Sequence, residues 1–170
     1  MEIRQERADD HSTVFQVVTE AFSHAEHSDG NEQELVTLLR DTPSFIPELS
    51  LVAVEDGKIA GHILFTKIAI GEYTELALAP LSVLPSYQRR GIGLALIREG
   101  HRIAKQLGYD YSVVLGSPVY YPRAGYLPAS LYGIKAPFEV QDEYFMAFKL
   151  QNDAPQVKGM VKYDPAFGID

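Results

Sequence analysis

The chain has no cysteine among its 170 residues. That excludes disulfides, thiolate-bound zinc and cysteine nucleophiles, and it fits a reducing compartment, so a cytoplasmic protein is expected. No apolar run is long enough to cross a membrane. The opening MEIRQERADD is charged and carries no apolar stretch of the signal-peptide kind. Positive charge is scarce: 15 Lys and Arg against 23 Asp and Glu leave a net charge of −8. An acidic surface argues against nucleic acid as a partner, though a small anion responds to local charge instead. Internal repeats and low-complexity segments are lacking too. What is present is ordinary for a globular protein, 46% apolar and 22% charged, over a length that suits one domain with its own core.

The hydrophobic pattern gives an order of elements. Met1 to Arg7 alternates weakly and reads as a first strand. Asp10 or Ser12 starts a helix through Val14, Phe15, Val17, Val18 and Phe22. A polar loop from His24 to Gly30 leads to a helix over Glu32 to Arg40, with Leu35, Leu38 and Leu39 at helical spacing and Pro43 just beyond. Leu51 to Glu55 and Lys58 to Ile70 form a hairpin around Asp56-Gly57. Leu76 to Leu84 is a strand interrupted at Pro80, where the missing N–H marks a bulge or a broken ladder. Leu94 to Leu107 is the strongest helix, with Gly108 at its C-cap. Tyr111 to Leu115 and Tyr144 to Leu150 are later strands, and the tail from Gln151 to Asp170 reads as irregular. This is an α/β (α+β) layer on a mixed sheet.

The stretch YQRRGIGLAL, Tyr87 to Leu96, sets two arginines and two glycines at the start of that strongest helix. A dinucleotide fingerprint would need a third glycine where Leu96 stands, and a nucleotide P-loop would need Gly-Lys-Ser/Thr where Leu94-Ala95 follows. An anion cradle needs neither. Unpaired N–H groups and a partial positive charge at a helix start bind a diphosphate, and glycine lets it come close. The competing reading is a tight strand-to-helix turn with solvated charges. Arg98, His101, Arg102 and Lys105 extend a local basic region along the helix.

The surrounding residues, LSVLPSYQRRGIG, resemble the coenzyme A signature of the GNAT N-acetyltransferase superfamily, with Gln88, Gly91 and Gly93 at its fixed positions. Downstream, GSPVYYPRAGY resembles that family's second landmark, a tyrosine four residues before a Gly-aromatic pair; here these are Tyr121 and Gly125-Tyr126. The combination is most similar to the bacterial YhbS-like branch. The resemblance spans roughly residues 1 to 150, with residues 151 to 170 as a C-terminal extension packed on the same domain. It implies a mixed central sheet split between two strands, with helices on both faces, and acetyl-CoA as cosubstrate. It implies backbone contacts to the pantetheine arm and thioester from Leu81, Ser82 and Val83. The diphosphate would lie on the amides of Arg89, Arg90, Gly91, Ile92, Gly93 and Leu94. Tyr121 would be the general acid that protonates the departing thiolate. Its alternative is a packing aromatic in a chain with ten tyrosines. Tyr120 is expected to point elsewhere.

The implied activity is transfer of acetyl to a primary amine by direct attack, since no thiol is available to carry the acetyl group. The reading from another class is a non-catalytic acyl-CoA-binding sensor. The acceptor and the general base are not legible. Glu75 reads as an exposed strand-end charge, with a base on the acceptor side as the sharper alternative. Ser117 stands where relatives carry an asparagine. His24 and His27 read as surface histidines with no third ligand, so no metal is expected. Glu26, Asp29, Glu32 and Glu34 read as a solvated acidic run, with attraction of a cationic acceptor as the alternative. No membrane partner is expected, and exposed sheet edges make a homodimer plausible.

Overall fold

The computed structural model describes residues 1–23, 25 and 28–169. Its framework is a sheet in the order β1-β2-β3-β4-β5-β8-β6. The strands are β1 (Glu2–Gln5), β2 (Phe45–Glu55), β3 (Lys58–Ile70), β4 (Tyr73–Val83), β5 (Tyr111–Leu115), β6 (Leu127–Pro128) and β8 (Phe145–Lys149). Two more strands, β7 (Ile134–Lys135) and β9 (Gly159–Lys162), pair in parallel with each other, and β9 joins β3 at Ala69 and Ile70. The chain reverses between β2 and β3 at Asp56 and Gly57. Both are left-handed, at φ 54° and 77°, as a two-residue hairpin requires. The tail is therefore not irregular throughout: its strand edges the main sheet.

Alternation along the central strands sends side chains to two faces, and helices cover both. Val52 and Leu64 face α1 (His11–Phe22) and α2 (Glu32–Arg40), where Val14, Val18, Val36 and Leu39 complete a buried cluster. Leu51, Ala53, Ile63 and Phe65 face α3 (Ile92–Gln106), packed by Ile92, Leu96, Ile97 and Ala104. Full burial of each valine, leucine, isoleucine or phenylalanine among these contributes about 1.5–3 kcal/mol. Leu107, read as the last residue of the helix, lies just past its end and is 43% exposed.

Every neighbouring pair along the main path is antiparallel except β4 and β5. These run parallel and pair only at Leu76–Ser112 and Ala77–Val113. Beyond that point β4 stays on β3 as far as Val83, and β5 stays on β8 as far as Leu115. Each strand is held on its outer edge, so the two part like the arms of a V. Ala79 and Pro80 fall in a register shift of β4 against β3, where Phe65 pairs Leu78 and Ile63 pairs Leu81. Pro80 thus sits at a bulge, which turns β4 away from its parallel neighbour.

Glu75 fastens the V just below its apex. Its Oε1 accepts the N–H groups of Asp110 (2.8 Å) and Tyr111 (3.1 Å), tying the start of β5 to β4. The side chain is buried, so both readings of it as an exposed or acceptor-side charge are corrected. Burial raises its carboxyl to about 7, against the pull of the two amides. The folded protein keeps a proton there that the unfolded chain has already lost. Stability therefore falls as pH climbs from the ordinary carboxylate range through about 7. Glu75→Gln is expected to flatten that part of the profile. Melting temperatures of both proteins between about pH 5 and about pH 8 check this; equal slopes would contradict it.

Candidate active site

The gap between the parted strands opens into a cleft of about 870 Å³ that continues to the start of α3. Its floor is the edge that β4 loses when β5 departs. Leu84 donates its N–H to the Ala60 carbonyl on β3 at 2.8 Å. Backbone groups alternate in direction along a strand, so Ser82 also addresses β3, whereas Leu81 and Val83 present theirs to the open side. The Val83 carbonyl is met there by the side-chain amide of Gln88 at 3.2 Å. Of the three residues expected along the arm, Leu81 and Val83 line the cleft. Ser82 does not: its hydroxyl is buried on the far side without a partner.

One end of the cleft is built by the turn into α3. Arg89 and Gly91 both hold left-handed backbones, at φ 66° and 82°. The first helical bond runs from Ala95 to the Gly91 carbonyl (3.0 Å), which leaves the N–H groups of Ile92, Gly93 and Leu94 without intrahelical acceptors. Among the described residues, the N–H groups of Arg89, Arg90 and Gly91 meet no acceptor either. A side chain added at Gly91 would enter open space, so this glycine answers to its φ. Gly93 answers to a neighbour. A Cβ there would lie 2.1 Å from the hydroxyl of Tyr120. Tyr120 therefore does not point elsewhere but lines the cleft against the helix start.

The basic region shrinks in three dimensions. Arg89 lines the cleft, whereas the Arg90 guanidinium stacks 4.9 Å from the centre of the Tyr87 ring, with Lys58 5.0 Å from it. Arg102 pairs with Glu99 on the outer face of α3. His101 is buried, stacked on Phe148 with ring centres 4.1 Å apart, and burial lowers its pKa to about 4. It is neutral at physiological pH and adds no charge to the mouth. Among the described residues, Arg89 and Arg123 are the positively charged side chains left on the cleft lining, beside the partial positive charge of the helix start.

Tyr121 stands on the other arm, beyond β5. Ser117, read as a poor substitute for an asparagine, accepts the N–H groups of Val119 (3.2 Å) and Tyr120 (3.0 Å) and closes the turn that delivers both tyrosines. The Tyr121 ring meets Tyr120 and Tyr126 edge-on, at 5.2 and 5.8 Å between centres. Gly116 leaves room for it, since a Cβ there would come within 2.5 Å of the ring. Tyr126 anchors the group from below, its hydroxyl bonded to Ser112 (2.8 Å) and His101 (3.0 Å). Burial, reinforced by Tyr120, raises the Tyr121 pKa, so the phenol stays protonated through the physiological range. His24, Glu26 and His27 lie outside the described residues. No set of three metal-binding side chains occurs among the described ones, and no described helix is long and apolar enough to cross a membrane.

A sheet parted beside a glycine-started helix, with unpaired amides on both, is a fold-specific arrangement, and the model of the acetyltransferase (GNAT) family matches residues 9–124. The chain belongs to the GNAT family. It is 38% identical over 148 residues to the uncharacterized N-acetyltransferase YjhQ of Escherichia coli (strain K12), covering 84% of this chain and 79% of that one. Among solved structures, this GNAT chain matches the N-acetyltransferase YhbS of Escherichia coli in complex with CoA. The TM-score is 0.89 at 27% identity, over 98% of this chain and 91% of that one. It also matches a GNAT acetyltransferase from Brucella melitensis in complex with acetyl-CoA, with a TM-score of 0.80 at 36% identity, over 98% and 97% of the two chains.

Proposed function

We propose that this N-acetyltransferase moves acetyl from acetyl-CoA to a primary amine by direct attack, with Tyr121 supplying the proton taken up by the leaving sulfur. One observation carries the reading. A single cleft is lined by the unpaired edge of β4 at Leu81 and Val83, the free amides at the start of α3, and Tyr121. The residues fit the cosubstrate. The cleft volume is in the range of small-molecule sites, and two left-handed residues fan the amides of residues 89–94 toward a diphosphate without a protein acceptor in the way. Leu81 and Val83 offer strand-like hydrogen bonds to the amides of the pantetheine arm.

The residues then divide the work. The β4 edge and the helix start bind and orient the acyl donor, which supplies the activated acetyl group. A backbone N–H on the open edge favours charge gathering on the carbonyl oxygen. The neutral amine forms the new C–N bond as the C–S bond breaks; its nitrogen gives up one proton to solvent, and the sulfur gains one from the Tyr121 hydroxyl. Solvent restores the Tyr121 proton. Direct transfer is supported by what surrounds Ser117, a serine hydroxyl on the cleft's β5 side. Ser117 Oγ is held by two backbone N–H groups, and no described histidine lines the cleft to activate it. Thiol release from acetyl-CoA, measured with and without an amine panel, tests the reading. Amine-dependent release is expected; tight binding of acetyl-CoA without it would favour the sensor.

A further inference from the structure

The cleft has a second chamber. A hollow of about 560 Å³ shares Leu78, Ala79, Leu115 and Glu32 with it, so the two meet at the parted strands. Its far wall is aromatic and comes mostly from the C-terminal tail. Phe138 stacks on Tyr163 at 6.3 Å between centres, and Tyr163 leans on Phe167 at 5.1 Å. This wall is fixed in place. Asp164 accepts the hydroxyl of Ser44 (2.7 Å) and the N–H of Ala166 (2.8 Å), and β9 holds the preceding residues on β3. Leu35 and Leu38 on α2 extend the apolar surface. All charged residues lining the hollow are acidic: Asp29, Glu32 and Glu34, with no lysine or arginine among the described ones. The start of α2 offsets roughly half of one such charge, which leaves a clear negative excess.

Resting on the activity proposed above, we infer that this chamber takes the acceptor, and that the acceptor is a small primary amine with one positive charge and an apolar, aromatic body. The acids attract the ammonium, and Glu32, on the lining of both chambers, stands where an ammonium enters the reaction cleft. The rings of Phe138, Tyr163 and Phe167 take the body by apolar contact and edge-to-face packing. A polyamine is disfavoured, because charges placed beyond the acids of residues 29–34 would lose water against the aromatic wall. A polar sugar amine meets the same cost through its hydroxyls.

The probes are 2-phenylethylamine and spermidine. Two measurements are made on the full chain: calorimetric titration of each amine into the CoA-loaded protein, and amine-dependent thiol release from acetyl-CoA. 2-Phenylethylamine is expected to bind and to show a kcat/KM at least about tenfold above that of spermidine. Phe167→Ala is expected to raise the KM for 2-phenylethylamine about tenfold while leaving acetyl-CoA affinity within about twofold, and Phe167→Leu to raise it less. Equal or better use of spermidine, or an unchanged KM in Phe167→Ala, would overturn the inference and leave the acetyltransferase reading intact. Binding of 2-phenylethylamine without acetyl transfer would uphold the chamber and count against the catalytic reading. Binding of neither amine to the CoA-loaded protein would overturn the chamber alone.

Discussion

Tyr121→Phe is expected to lower kcat about 100-fold, a loss of about 2.7 kcal/mol of transition-state stabilisation, with acetyl-CoA affinity changed by less than about twofold. The change removes one oxygen and leaves the ring, so the edge-on contacts with Tyr120 and Tyr126 survive. The phenol lines the cleft beside the parted strands, and burial keeps it protonated through the physiological range, so the wild-type side chain has a proton to give there. The defect should shrink with a thioester whose leaving thiol is more acidic, because a better leaving group needs less help. Steady-state rates with acetyl-CoA and with an activated thioester check both points. Tyr120→Phe is the control, since its hydroxyl lies over Gly93 against the start of α3. Equal loss in both variants, or no loss in Tyr121→Phe, would remove Tyr121 from the chemistry.

Gly91→Glu is expected to weaken coenzyme A binding by roughly 100-fold, about 2.7 kcal/mol, while the domain stays folded. At φ 82° a side chain costs about 1–2 kcal/mol of local strain. A loop that keeps its shape holds a carboxylate in the mouth of the anion site; a loop that relaxes loses the fan of amides. Both outcomes reduce affinity. Nothing stands within 4 Å of a Cβ at this position, so the core is untouched and the melting temperature without ligand should fall only modestly. Calorimetry and thermal unfolding with and without coenzyme A separate the two effects. Gly93→Ala is a different experiment. Its Cβ meets the Tyr120 hydroxyl first, so it reports on that side chain's freedom to swing as much as on the diphosphate site.

These positions also mark how far the residues speak for themselves. The strongest local signals held. Asp56-Gly57 turns the β2–β3 hairpin, Glu32–Arg40 is a helix, and Tyr111–Leu115 is a strand with the bounds read from its pattern. The parting of β4 from β5 was implied by the family resemblance, and Pro80, read as a bulge or a broken ladder, falls at a bulge beside it. β2 begins at Phe45, six residues earlier than its pattern suggests, because Pro43 and Pro47 break the alternation there. β6 and β7 hold two residues each and β9 four, too few for any periodicity to register.

The site residues were misread where their partners are distant in sequence. Glu75 looks like a solvent-facing charge until the amides of Asp110 and Tyr111 close on it. His101 looks like part of a basic stripe on α3 until Phe148, from β8, stacks against it. Tyr120 looks like filler until its hydroxyl is found over Gly93. The aromatic chamber joins α2, Phe138 and the tail, three segments that no local pattern connects. Ser82 differs from these. The alternation that turns it toward β3 follows from where the ladder ends, at Leu84 on Ala60, and that end point exists only in the folded sheet.

In the proposed function, the open amides of residues 89–94 and of Leu81 and Val83 together hold the acyl donor. Amide resonances recorded while coenzyme A is titrated into the labelled protein test it most directly. The predicted result is that the largest shifts fall on those two groups together and saturate at one ligand per chain. Shifts confined to other segments, with both groups unmoved at saturation, would contradict it.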